Sequence, residues 1–427
     1  MNTFAKSVVA GLSLSLLAGA AHAGGYNRGS ANLDGLYSDA LGIVAGMTWV
    51  SPGRSYDRVS GIAVVNNPGG FPANPLNPAT PPVVPSPFAQ GEVEFGNDFQ
   101  VPYVSIGGRI ADNFNCVGSY AEPYGASSTY SGAMTFKVKD VSLSVKEYGL
   151  SCAVSTELEK GRVSLIGGVF YEDLQFNQSR TFPTFMFGAS GLGFTGGDSK
   201  IDVSSDAWGW RAGLAYEIPE IALRAQLLYR SETKHDLSGS FINTPFTAIF
   251  GAAGDLASAA AAAGISKAGA YGSVTLPQQV EFSLQTGIAP GWLAFGSVKW
   301  TDWSILREVN LFDKISNNEF TDLKAYYKDG WTVTGGIGHK INDQVSVAGS
   351  VTWDKGVTSG WDTLTDTWTY AGSVIYNATE NVSIRATAAA IKFTEGSKTK
   401  TDGALDYVAH SPEEWGHAFS LQATIKF

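Results

Sequence analysis

Along most of this chain, hydrophobic and polar residues alternate with a period of two. In the closing run AFSLQATIKF, Phe419, Leu421, Ala423, Ile425 and Phe427 interleave with Ser420, Gln422, Thr424 and Lys426. Further back, Val345, Val347, Val351 and Trp353 oppose Ser346, Ser350, Thr352 and Asp354. Successive side chains of a strand point to opposite faces, so each such run predicts a strand with one greasy and one polar side. Followed through, the rhythm predicts about fourteen strands, near 40–50, 93–110, 114–123, 141–157, 162–173, 205–217, 221–231, 275–288, 292–306, 328–340, 345–355, 363–376, 382–394 and 414–427.

The connections alternate in length. Short turns lie at ADN near Ala111, LEKG near Glu159, IPE near Pro219, APG near Pro290, IND near Asn342 and NATE near Thr379. Longer polar segments lie between them, the largest at about 51–92, 174–204 and 232–274. An even number of strands with short turns at one end and long loops at the other describes an outer-membrane barrel rather than a soluble sandwich. The predicted fold is therefore all-β: an antiparallel transmembrane barrel over residues 40–427. Residues 1–23 have one early charge at Lys6, an apolar run from Val8 to Leu17 and a small-residue end at Ala21-His22-Ala23, the pattern of a cleavable export signal. Beyond it no apolar run is long enough for a helical span, so any membrane crossing must use strands.

Composition narrows the reading further. Aromatic residues make up 12% of the chain, and Trp208, Trp210, Trp292, Trp300, Trp303, Trp331, Trp361, Trp368 and Tyr376 fall near predicted strand ends, where interfacial girdles belong. A net charge of −10 argues against a nucleic-acid partner, whose phosphates demand a basic surface. The two cysteines, Cys116 and Cys152, stand near the short-turn ends of adjacent strands and are either a cross-strand disulfide or two packed thiols. Once His22 leaves with the signal, His235, His339, His410 and His417 show no metal-ligand spacing, and there is no G-x-S-x-G elbow. No catalytic residue, metal or cofactor is expected.

Three features suggest passage of a greasy solute. The loop SRTFPTFMFGASGLGFTGG puts Phe182, Phe185, Phe187, Leu192 and Phe194 where solvent is expected, the kind of apolar cluster that marks a binding surface. In the segment 244–270, Phe246, Ile249, Phe250 and Leu256 recur at helical spacing before an alanine run, which predicts a short helix in an external loop. The two loops could form one groove. In the third strand, Glu122-Pro123-Tyr124-Gly125 interrupts the ladder, because proline lacks a donor and glycine permits a bend; such a break in a membrane wall must be covered by protein or line a cavity. By alternation Arg211, Arg224, Arg230, Lys299 and Arg385 face inward with Ile166, Phe170, Leu293 and Phe295. The cations either bind a carboxylate or pair with lumen acids such as Glu172, Glu217, Glu281 and Asp302.

The stretches DAWGWRAGLAYEIPEIALRAQLLYRSETKHDLSGSF (from Asp206), LPQQVEFSLQTGIAPGWLAFGSVKWTDWSIL (from Leu276) and DTWTYAGSVIYNATENVSIRA (from Asp366) resemble the FadL-type (OMPP1/FadL/TodX) outer-membrane transporters. The Tyr229–Glu232 run, Leu276-Pro277 and the Trp300–Ser304 pattern carry the resemblance in combination. It implies a fourteen-stranded barrel closed by an N-terminal hatch, here residues 24–39. It also implies a hydrophobic groove between two external loops and sideways release beside a kinked third strand, the position of Glu122 to Gly125. The hatch region reads SANLDGLYSD and lacks that family's Asn-Pro-Ala. The expected passenger is a long-chain fatty acid, with a hydrocarbon as the alternative and a general porin or an outer-membrane phospholipase as rivals from other classes. The expected surroundings are outer-membrane lipid and lipopolysaccharide, with Phe427 read by the barrel assembly machinery.

Overall fold

In the computed structural model the described residues are 26–64, 85–130, 138–181, 185–187, 192–195, 198–243, 247–248, 267–315, 317, 319–360, 362–400 and 405–427. Fourteen antiparallel strands make the wall: β1 (Gly42–Ser51), β2 (Phe99–Ala111), β3 (Phe114–Thr129), β4 (Asp140–Leu158), β5 (Gly161–Thr181), β6 (Asp198–Ile218), β7 (Leu223–Arg230), β8 (Gln279–Ala289), β9 (Trp292–Thr301), β10 (Gly330–Lys340), β11 (Val345–Asp354), β12 (Thr367–Asn377), β13 (Val382–Phe393) and β14 (Glu414–Lys426). β1 pairs with β14 from Gly42↔Lys426 to Ser51↔His417 and with β2 from Gly42↔Gly107 to Val50↔Phe99, which closes the sheet on itself. Closure pairs the first strand with the last, so neither is left as a free edge of the sheet.

The side chains divide as the alternation requires. Leu150, Val154, Leu165, Val169, Leu214, Ile337, Phe419 and Leu421 stand exposed on the outer face, while Ser420 and Gln422, which alternate with the last two, turn inward and are buried. A row of exposed apolar residues around the whole wall is stable only against lipid. Trp208, Trp210, Trp292, Trp331, Trp368 and Tyr376 are exposed as girdle residues should be. Trp303 is not: it is 1% exposed, because the chain leaves β9 after Thr301 and a short 3-10 turn, Trp303–Ile305, carries the ring into the barrel. Trp361 lies outside the described residues.

Several strands run further than sequence periodicity indicates. β3 continues to Thr129, β5 to Thr181, and β6 begins at Asp198, so the wall projects on the long-loop side. Thr233–Asn243 extends β7 beyond a two-residue break and pairs with the outer part of β6 and with Lys267–Leu276. Thr247–Ala248 and Lys267–Ala270 are thus strand, where a helix was expected; residues 244–246 and 249–266 of that segment are outside the described residues. The expected strand at 93–110 begins only at Phe99, while Val93–Glu94 pairs with Ser55–Tyr56. Within the expected loop 51–92, Arg58–Val64 and Pro85–Gln90 join Gly396–Lys400 and Leu405–Ser411 in a four-stranded sheet above the barrel. The apolar face they bury, Val59 and Ala409 with Tyr56 and Val93, is too small to stand out as a period in the sequence.

Cys116 and Cys152 face each other directly in the β3–β4 ladder, with Cα atoms 4.1 Å apart, and form a disulfide. Their neighbours Val117 and Ala153 are buried inward, so the bridge sits on the outer face near the short-turn end.

Candidate transport pathway

Residues Tyr26 to Leu41 run through the barrel interior from the loop side to the short-turn side. At the lower end Leu33, Leu36 and Tyr37 pack on the inward side chains Val117, Ala153, Ile166 and Ala215. Tyr37 donates to Gln226 at 2.6 Å and lies under the Arg224 guanidinium, 3.9 Å from its ring centre. Asn115 donates to the Ser38 carbonyl at 2.7 Å, and Asp39 pairs with Arg109. At the upper end Tyr26 packs edge-on against Trp303 and Tyr327, its hydroxyl 2.8 Å from that of Tyr327; both phenols reach Asp362 in the loop between β11 and β12. Burial pushes both phenols upward from the ordinary tyrosine range, which keeps them neutral donors.

The wall breaks at the middle of this inner segment. β2 and β3 pair from Ala111↔Phe114 up to Val104↔Tyr120 and no further, so Phe99–Tyr103 of β2 keep only their β1 partners. On the other side β3 carries a bulge: Glu122 and Pro123 stand where β4 has only Lys146, between Ala121↔Glu147 and Tyr124↔Val145. An extra residue bends the strand that carries it. On the β3 side the freed backbone groups find new partners. Arg28 N–H donates to the Pro123 carbonyl and Gly125 N–H to the Tyr26 carbonyl, each at 2.9 Å, around an antiparallel bridge between Asn27 and Tyr124. Higher up, Gly96 bridges Ser128 and Thr129 N–H reaches the Phe95 carbonyl. β3 thus leaves β2 and turns its edge inward, where other parts of the chain pair with it.

A cavity of about 200 Å³ adjoins this break. It is bounded by Asn27 and Gly29–Asp34 of the inner segment, by Val101, Pro102 and Tyr103 of β2, and by Ala121 and Glu122 of β3, so it touches both sides of the missing rungs. The far wall is mixed: Phe295 beside the hydroxyls of Thr332, Thr334 and Thr352, with the charges of Lys299, Glu281, Asp354 and Arg385. Above it, toward the loops, an apolar cluster of Tyr124, Val145, Leu174, Ile201, Trp303, Leu311 and Tyr327 packs beside the buried charges of Arg230 and its partners.

The inward cations divide between two roles. Arg211 pairs with Glu147, and Arg230 donates to Glu147 at 3.1 Å and also pairs with Glu172. Glu172 accepts from Thr233 at 2.6 Å and lies 3.2 Å from His235. Both guanidiniums lie over the Phe170 ring, at 5.0 and 4.4 Å from its centre. Arg224 and Arg162 share Glu217. Arg211 and Phe170 therefore belong to a closed ionic cluster, whereas Lys299 and Phe295 line the cavity. Glu147 was missed by sequence reasoning, although its parity with buried Val145 and Ala153 on β4 marks it as inward. Tyr26, Arg28, Trp303 and Tyr327 were missed too, because loop and inner-segment residues follow no period.

The apolar loops meet through their backbones. Phe185–Phe187 pairs with Leu192–Thr195, and Phe194↔Ala248 and Thr195↔Thr247 join the second loop to the same small sheet. Phe185, Phe187, Leu192 and Phe194 are thus brought together on one element. Phe182, Phe246, Ile249, Phe250 and Leu256 lie outside the described residues.

Residues 39–427 match the family model for outer membrane protein transport proteins (OMPP1/FadL/TodX). The chain belongs to this family. Over 158 residues it is 32% identical to the long-chain fatty acid transport protein of Salmonella typhi, a stretch covering 33% of this chain and 35% of that protein, so the alignment spans about a third of the relative's length. A Pseudomonas aeruginosa FadL homologue has the same fold, with a TM-score of 0.73 at 17% identity over 97% of this chain and 98% of that one. The Ralstonia pickettii toluene transporter TbuX superposes with a TM-score of 0.59 at 16% identity, covering 92% and 91%. The chain is thus a member of an outer-membrane family whose members are transport channels and not enzymes.

Proposed function

We propose that the protein carries long-chain fatty acids, or molecules of like amphipathic character, across the outer membrane. They land on the apolar sheet shared by the two external loops, pass the aromatic interior and leave sideways between β2 and β3. The observation that carries this reading is the loss of pairing between Phe99–Tyr103 and the outer part of β3, beside a cavity that touches both strands. A route that stays in contact with protein and opens into hydrocarbon spares an apolar tail the transfer through water, which costs about 0.8 kcal/mol per methylene. The polar half of the lumen suits a headgroup better than it suits a hydrocarbon, and the similarity to a long-chain fatty acid transport protein points the same way. By this reading residues 1–23 are removed on export and the inner segment is the hatch that covers the exit.

The bulge offers a direct test. Deleting Pro123 leaves one residue of β3 opposite Lys146 and restores a continuous β3–β4 register. The variant should fold and insert as the parent does, yet lose most of its uptake of a radiolabelled C18 fatty acid in cells that lack other such transporters. Uptake at the parental rate by the folded variant would rule out the sideways route.

A further inference from the structure

Arg28 occupies the break in the wall. Its guanidinium lies 4.3 Å from the ring centre of Phe99 on β2, and the side chain runs so close over Gly125 on β3 that a Cβ there would stand 2.6 Å from Arg28 Cδ and Nε. The next residue, Gly29, threads between the same strands: its own Cβ would sit 3.2 Å from both Val101 and the Glu122 carbonyl. Arg28 is only 7% exposed, yet among the described residues neither Nε nor Nη2 has a hydrogen-bond partner. Glu122 supplies the opposing charge, but its Oε1 is engaged by the Tyr120 hydroxyl at 2.8 Å and it makes no ion pair with Arg28.

Two unpaired donors on a buried cation are costly to keep. These two are adjacent on one edge of the planar guanidinium, the edge that takes both oxygens of a carboxylate at once. Other interior arginines on the wall, Arg211, Arg224 and Arg230, already hold carboxylates. From the position of Arg28 and its empty fork, we infer that it is the docking point for the carboxylate of an anionic amphiphile at the gap between β2 and β3, and that it sets a preference for such passengers over neutral apolar ones. The inference rests on the transport reading above and names the residue that reads the headgroup. A carboxylate that takes the fork also draws Arg28 off Phe99, which loosens the segment covering the gap.

The test compares oleate with methyl oleate, which share a tail and differ in charge, in uptake by cells or proteoliposomes carrying the full chain. For Arg28→Gln the acid-to-ester uptake ratio should fall about tenfold relative to the parent, the size expected when a charge-assisted pair is lost, and Arg28→Lys should recover part of it. An unchanged ratio, whatever the absolute rates, would show that Arg28 only braces the inner segment and would overturn the inference while leaving transport intact. A parent protein that moves neither compound would instead remove the transport reading itself. Should the Gln variant fail to assemble, the parent answers by photolabelling: an oleate analogue with a diazirine beside the carboxyl should label residues 26–30 or 99–103. Labelling confined to other parts of the barrel would overturn the assignment.

Discussion

At the residue scale, the interior is held by carboxylates that each serve more than one base. Glu147 is 2% exposed and takes both Arg211 and Arg230, while Glu172 takes Arg230, Thr233 and His235. Removing one partner of a buried pair leaves the other charge desolvated without compensation, which costs about 3–5 kcal/mol. Glu147→Gln should therefore lower the stability of the folded barrel by that order in urea unfolding from phospholipid vesicles. A change near zero would mean that water reaches this cluster and screens it. The substitution should leave headgroup preference unaltered, since the guanidiniums of this cluster are held by Glu147 and Glu172, in contrast to that of Arg28.

At the element scale, β3 does two jobs with its two halves. From Phe114 to Tyr120 it is an ordinary wall strand, paired on both sides and tied to β4 by the Cys116–Cys152 disulfide. From Glu122 onward it keeps β4 but exchanges β2 for the inner segment. The disulfide clamps the regular half beside the irregular one, and its loop of 36 residues stabilises the folded state by roughly 4 kcal/mol on a chain-entropy estimate. A Cys116→Ser/Cys152→Ser double variant should unfold at a lower temperature, read as the point where the band of folded barrel disappears in an unheated gel series. Reductant should shift the parent in the same direction, and a parent indifferent to reductant would show that the bridge carries no stability.

At the scale of the whole molecule, the barrel sorts its aromatics by environment. Trp208 is 70% exposed and Trp210 51% on the outer face, whereas Trp303 lies inside with Tyr26, Tyr124 and Tyr327. Brominated lipids should therefore quench emission from single-tryptophan variants that keep Trp208 or Trp210 and leave one that keeps Trp303 nearly untouched. Strong quenching of Trp303 would contradict its place in the interior. The same sorting divides the lumen into an aromatic half below the loops and a mixed polar half beside the inner segment, an arrangement matched to a solute with two ends.

The alternation in runs such as Phe419–Phe427 determined that this chain crosses a membrane with strands, how many it uses, and which residues face lipid. It did so because a period of two is a local property, legible wherever one face of a strand meets hydrocarbon. Pro123 announced a break for the same local reason, the missing donor. What the break does could not be read from its own neighbourhood. The pairing of Tyr26 and Arg28 with β3, the capture of Arg211 by Glu147, the inward swing of Trp303 and the empty fork of Arg28 each join residues far apart in the chain, and only closure of the barrel brings them within reach of one another.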